Sequence, residues 1–313
     1  MHKYIKVALP LVIVLAISSV LIGSHAINYD QQSLDIILIS RIPRTLALVL
    51  AGVSLSIAGV IMQQLARNKF VEPSTTGTVE SATLGMLLML ILFPEASVFY
   101  KLLAACLCSV IGTALFLLIL RKVPLRSDFV VPLIGIMYAG VVGAIITFIA
   151  YRADLLQSIW VWTQGDFSMI LRGRYELLWL AGGLSLIAYF TADKLTLAGL
   201  GKQVSINLGL NYNSVFIWGL VVISLITGVT VVNSGVIPFL GLVVPNIISL
   251  LVGDNLRYSL PLIAISGAGL VLLCDILARL MSYPYEIPIA TVMGVIGSAI
   301  FLYLLLRGET RAS

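Results

Sequence analysis

Charge is scarce in this 313-residue chain. Asp, Glu, Lys and Arg together make up 11% of it, against about 25% in soluble domains. Apolar residues make up 60%, and the mean hydropathy is +1.08. A soluble fold of this length could not bury so much apolar surface, and no polar stretch is long enough to build a soluble domain. Histidine is nearly missing: His2 and His25 both lie near the start, which excludes a His-based metal site or hydrolytic triad within a helical bundle. The three cysteines, Cys106, Cys108 and Cys274, are odd in number and sit in apolar runs, so they read as packing residues and not as a disulfide framework. A phosphate loop is also lacking. The nearest approach, Gly199-Leu200-Gly201-Lys202-Gln203, has neither the upstream glycine nor the Ser/Thr after Lys that phosphate and Mg²⁺ binding require. The basic residues are scattered between apolar runs, which speaks against a nucleic-acid face.

Long apolar runs are what the chain has in quantity. A membrane-spanning helix needs roughly 20 residues, and ten segments qualify: 7–23, 42–65, 78–98, 102–120, 129–151, 177–192, 213–233, 236–252, 259–281 and 288–307. The expected fold is an all-α integral membrane protein of about ten helices, with residues 1–313 as one transmembrane domain. The basic start and first apolar run resemble a secretory signal followed by the small-residue run Ser24-His25-Ala26. That apolar run is longer than a signal's usual core, so a retained first helix is expected. The eighth segment carries Pro238 and Pro245 and reads as a short or broken helix, tolerated in a membrane only where protein or a cavity surrounds it.

Placing both termini in the cytoplasm leaves seven basic residues outside: Arg41, Arg44, Lys101, Arg152, Arg172, Arg174 and Arg279. The other twelve of the nineteen Lys and Arg fall inside, as the positive-inside rule requires. Seven is high for outer loops, and it singles out the external arginines as functional candidates. Residues 160–176, with two tryptophans, are expected to lie across the outer surface.

Three stretches carry more specific information. Arg41-Ile42-Pro43-Arg44-Thr45-Leu46-Ala47 leads into a helix rich in small residues and ends at Gln64-Leu65-Ala66-Arg67-Asn68-Lys69-Phe70-Val71-Glu72-Pro73. Gly235-Val236-Ile237-Pro238-Phe239-Leu240-Gly241-Leu242-Val243-Val244-Pro245-Asn246 is the second. The third is Cys274-Asp275-Ile276-Leu277-Ala278-Arg279, followed by Tyr285-Glu286-Ile287-Pro288 and a glycine-containing last helix. Their order and spacing resemble the FecCD-type iron-chelate permease family from about residue 41 to 307. Two departures stand out: the family often has Arg-Asn-Pro where this chain has Arg67-Asn68-Lys69, and Pro-His where it has Pro245-Asn246.

The resemblance implies a type II ABC importer permease in a bacterial cytoplasmic membrane. It would work with a second permease chain, two cytoplasmic ATPase subunits and an extracytoplasmic binding protein that delivers a ferric siderophore, haem or cobalamin. Val244-Pro245-Asn246 and Gly165-Asp166-Phe167 resemble members serving catecholate-type siderophores. The permease itself would bind no cofactor and would not be an enzyme, with ATP and Mg²⁺ held by the partner ATPase. Arg41, Arg44 and Arg279 match positions that grip carboxylates on the binding protein, a role suited to a permanently charged, bidentate side chain. The reading of the residues alone leaves interfacial snorkelling open, with Arg279 paired to Asp275 one turn earlier. The stretch 199–210 resembles the family's coupling loop, with Gly201, Ser205, Leu208 and Gly209 expected to meet the ATPase and Gly253-Asp254-Asn255 as a second contact. Thr75, Thr76, Thr78 and Glu80 are expected to line the inner gate, and Gly135, Gly140 and Gly143 to permit close packing or movement. An ion-coupled secondary transporter is the alternative. It needs intramembrane coupling carboxylates, and only Glu80 and Asp275 approach membrane depth.

Overall fold

The computed structural model describes residues 2–23, 31–123, 129–283 and 285–309; Ser24-His25-Ala26, Arg126 and Arg311 lie outside them. The chain runs through α1 (His2–Leu21), α2 (Gln31–Ile36), a π-helical turn (Ile37–Arg41), α3 (Ile42–Ala66), a 3₁₀ turn (Pro73–Thr75), α4 (Thr78–Leu92), α5 (Val98–Lys122), α6 (Val130–Arg152), α7 (Leu156–Thr163) and α8 (Leu178–Phe190). It continues through α9 (Ala192–Gly199), α10 (Lys202–Asn207), α11 (Tyr212–Ser234), α12 (Leu240–Val252), α13 (Leu256–Met281) and α14 (Ile289–Glu309). Among the described residues the one β-type pairing is a parallel bridge between Gln164 and Val236.

Seven helical stretches are long and apolar enough to cross a membrane: α1, the continuous α2–α3 stretch from Leu34, α5, α6, α11, α13 and α14. Three shorter apolar helices, α4, α8 and α12, fall on the third, sixth and eighth apolar segments. At 1.5 Å per residue, the 13 residues of α12 reach about 20 Å, short of the roughly 30 Å hydrocarbon layer. The expected short eighth helix is therefore what forms.

α3 is the centre of the bundle. The window containing it is 83% buried, whereas α1 is 6% buried and α6 and α14 are each 22% buried. Small residues explain its position, because they let backbones approach where lipid supplies no hydrophobic drive between helices. A Cβ at Gly59 would overlap the backbone of Gly241 on α12. Gly52 approaches Gly267 and Ala268 on α13 in the same way. The glycines of α6 divide: Gly135 packs against the Thr75 carbonyl, whereas Gly140 and Gly143 have nothing near them. Close packing is thus confined to Gly135, and the other two lie on an open face.

Candidate functional site

The three candidate docking arginines converge on the end of α1 and on Asp275. α1 ends with carbonyls that have no helical partner, and such groups attract cations at a helix's negative end. Arg41 Nη1 donates to the carbonyls of Val20 (3.2 Å) and Leu21 (3.0 Å). Arg279 Nη1 donates to those of Ser19 (2.9 Å) and Ile22 (2.8 Å), and its Nη2 to Ser19 Oγ (3.0 Å). Arg44 donates from Nη2 (2.7 Å) and Nε (3.2 Å) to Asp275 Oδ1, and from Nη1 to Glu286 Oε2 (2.6 Å). Asp275 Oδ2 also accepts from Arg279, the pairing that their one-turn separation suggests. Asp275 is fully buried, and the three arginines are 7%, 8% and 5% exposed. Two guanidiniums sharing one carboxylate keep that buried charge neutralised, and the arrangement fastens the otherwise lipid-facing α1 to α3 and α13.

At the opposite end of α3 the chain turns back along α12. Lys69 Nζ donates to both carboxylate oxygens of Asp254 (2.9 Å each) and to Ser249 Oγ (2.9 Å). Asn246 Nδ2 donates to the Lys69 carbonyl (2.8 Å). The two positions that depart from the family pattern are therefore in direct contact. Burial acts to raise the Asp254 carboxyl, but hydrogen bonds from Ser249 and Lys69 and the Lys69 charge outweigh it and hold the group below its ordinary value.

Further along, Glu72 is 2% exposed. Its Oε1 accepts the Phe239 backbone N–H (2.7 Å) and a hydrogen bond from Ser74. The Gly241 and Leu242 N–H groups also lie near this carboxylate. Phe239 itself holds a left-handed conformation, φ 63°, which is uncommon outside glycine. Glu72 thus supplies from 167 residues away the cap that α12 needs, since its first N–H groups start inside the bundle where water cannot satisfy them. The motif 64–73 contained this residue, but its spacing gives no signal of the distant helix that it caps.

The candidate gate residues do not share one surface. Thr75 is tied to Glu72 in a reciprocal capping box. Thr76 and Thr78 are fully buried and belong to a hydroxyl chain, Thr76 to Thr78 (3.2 Å), Thr78 to Thr113 (2.9 Å) and Ser224 to Thr113 (3.1 Å). Glu80 stands in the first turn of α4, with Oε2 buried and without a hydrogen-bond partner.

The candidate coupling segment, 199–210, starts at the last residue of α9, turns through Leu200 and Gly201, and forms α10. Ser205 is fully buried, its hydroxyl donating to the carbonyls of Gly201 (2.7 Å) and Leu197 (2.8 Å). That small side chain closes the two short helices against each other. Leu208 is 59% exposed. Gly209 follows with φ 78° and open space around its Cα. Gly201 lies beside the Arg67 guanidinium. A cavity of about 320 Å³ with a mixed lining, Gln64, Arg67, Lys69 and Asp254 beside Leu200 and Pro245, lies between the start of this segment and the Gly253–Asp254 turn. Gly199 and Leu200 border it with Gly253 and Asp254, whereas Gly201, Ser205, Leu208 and Gly209 are not among its lining residues.

The comparisons with known proteins agree with this architecture. The chain is 47% identical over 308 residues to the petrobactin import system permease protein YclN of Bacillus subtilis, covering 96% of this chain and 98% of that protein. It is 41% identical to the petrobactin import system permease protein FatD of Bacillus anthracis, covering 96% and 90% respectively. A solved metal-chelate-type ABC transporter in an inward-facing conformation superposes with a TM-score of 0.84 at 25% identity, covering 98% of this chain and all of that one. The chain is a multi-pass permease of the bacterial cytoplasmic membrane. With residues 8–307 matching the model of the FecCD transport family, it belongs to that family.

Proposed function

We propose that this chain is the translocation subunit of an ABC importer for a ferric siderophore of the catecholate-bearing type. It spans the membrane ten times with both termini in the cytoplasm and pairs with a second permease chain. Two ATPase subunits bind ATP and Mg²⁺ and drive it, and an extracytoplasmic binding protein delivers the chelate. The observation that carries this reading is the α9–α10 segment. It is folded by internal hydrogen bonds through Ser205, yet it leaves Leu208 59% exposed beside the open Gly209 turn. Gly201, Ser205, Leu208 and Gly209 form the coupling surface. The likeness to two petrobactin import permeases over nearly their full length supports the siderophore cargo.

Arg41, Arg44 and Arg279 are the docking grip at the other end. Their internal bonds set how docking proceeds: a carboxylate of the binding protein replaces Glu286, itself partly exposed, on Arg44, while Asp275 stays in place. Thr75, Thr76 and Thr78 hold the inner gate in shape, and Glu80 faces the gate. The unpartnered Glu80 oxygen is the feature that favours the ion-coupled alternative. Uptake of radioactive ferric chelate into vesicles holding the assembled complex separates the two. ATP dependence that survives collapse of the proton and sodium gradients is expected, and uptake abolished by an ionophore with ATP present would establish the alternative.

A further inference from the structure

The arginines assigned to docking spend most of their donors inside the chain. The free positive charge at that end of the bundle lies elsewhere. Arg172 and Arg174 are exposed, and among the described residues neither guanidinium has a hydrogen-bond or ion-pair partner. The segment that carries them has a fixed shape. Asp166 accepts from the N–H (2.8 Å) and hydroxyl (2.9 Å) of Ser168, and Glu176 accepts from the Gly173 N–H (2.7 Å). The Arg172 N–H donates to the carbonyl of Ile39 (2.9 Å), in the π-helical turn that ends at Arg41. The two arginines are therefore joined through backbone to the Arg41–Arg44–Arg279 cluster. Arg174 and Lys101 also border a cleft of about 470 Å³ that Trp162, Met86 and Met169 help to line. Asp166 is the one carboxylate among its lining residues, and it is already engaged by Ser168.

We propose that Arg172, Arg174 and the Lys101 side of this cleft form a second docking surface, which receives carboxylates from a lobe of the extracytoplasmic binding protein. The proposal rests on the importer reading above and extends its docking grip. The structured loop limits the backbone freedom lost on binding, and the exposure of both side chains keeps them visible to an approaching acidic surface. Charges of this kind act mainly on encounter rate and salt dependence, whereas the buried cluster acts after contact.

The test measures association of the binding protein with the complete transporter in nanodiscs of neutral lipid, at low and physiological salt. The double variant Arg172→Glu/Arg174→Glu is expected to slow association about tenfold at low salt and to flatten its salt dependence, with little change in dissociation rate. Reversing an acidic residue of the binding protein to Lys is expected to restore part of the rate. Unchanged kinetics in the double variant, with binding weakened by Arg44→Glu, would remove this surface and leave the importer reading standing. Failure of the binding protein to associate with the unmodified transporter would remove that reading as well. A rate loss seen in anionic nanodiscs and absent in neutral ones would assign the two arginines to lipid phosphate. Direct binding of the ferric chelate without the binding protein, lost in Lys101→Glu, would assign the cleft to cargo. Either result overturns the proposal.

Discussion

Asp275 is the residue on which the Arg44–Arg279 cluster depends. It is buried, it sits in a helix core, and it is shared by Arg44 and Arg279. Removing one partner of a buried ion pair costs about 3–5 kcal/mol because the other charge is left uncompensated. Asp275→Ala removes the carboxylate that both guanidiniums share, leaving Arg44 with Glu286 and Arg279 with neutral acceptors, and is expected to lower the thermal midpoint in detergent more than Arg44→Ala does. A double Arg44→Met/Asp275→Leu variant should recover part of that loss, and its failure to do so would mean that the cluster is not the origin of the effect. At the other end, the Lys69–Asp254 pair is exposed and contributes little to stability at neutral pH. Its pH behaviour is still distinctive. A carboxyl held below its ordinary value contributes its stabilisation above the unfolded value, near 4, and loses it as pH falls through the lower folded value. The clasp is therefore expected to persist through the physiological range and to open only in acid. The mobility of a nitroxide label at the exposed Leu250, beside Ser249, should rise below about pH 4 and should not change with pH in Lys69→Met.

Elements in this fold are completed by distant residues. α12 is a short helix whose N-terminal donors point at a carboxylate from the α3–α4 connection, and an unsatisfied buried donor costs about 1–3 kcal/mol. Glu72→Ala is expected to destabilise the protein by at least that much and to expose the Phe239–Leu242 region to cysteine labelling. Glu72→Gln keeps an acceptor oxygen and should fall between Ala and the native residue, and equal behaviour of Gln and Ala would argue against the cap. The α9–α10 unit is held to the bundle through α9, where Thr196 accepts the Leu256 N–H, and leaves Leu208 and Gly209 exposed at its far end. Gly209 has φ 78°, a conformation that costs other residues about 1–2 kcal/mol. Gly209→Glu adds a charge beside the exposed Leu208, and it is expected to abolish ATP-driven uptake while the permease still inserts. Co-purification of the ATPase and its stimulated hydrolysis are the measurements, and normal values for both would place the coupling surface elsewhere.

For the molecule as a whole, helices are sorted by how much apolar surface they can show to lipid. α3 carries small residues and is buried; α1, α6 and α14 are apolar on most sides and lie outermost. A reporter joined to the C-terminus is expected to be active only on the cytoplasmic side, as the twelve-to-seven charge distribution requires, and activity outside would invert the assignment of both ends. The sequence by itself determined the membrane class, the positions of the apolar helices, the shortness of the eighth and the family, because each depends on local hydropathy, proline placement or contiguous motifs. It also indicated the Asp275–Arg279 pair, which lies within one helical turn. Tertiary structure decided what no local pattern encodes. Arg44 reaches Asp275 across 231 residues, Glu72 caps a helix 167 residues away, and Lys69 meets Asn246 and Asp254 only because α3 and α12 pack side by side. It also separated the candidate gate residues, burying Thr76 and Thr78 among hydroxyls while leaving Glu80 apart. Hydrophobic period says which face of a helix is apolar, whereas polar groups excluded from water take whichever partner the packing brings within reach, and that choice is made only when the bundle closes.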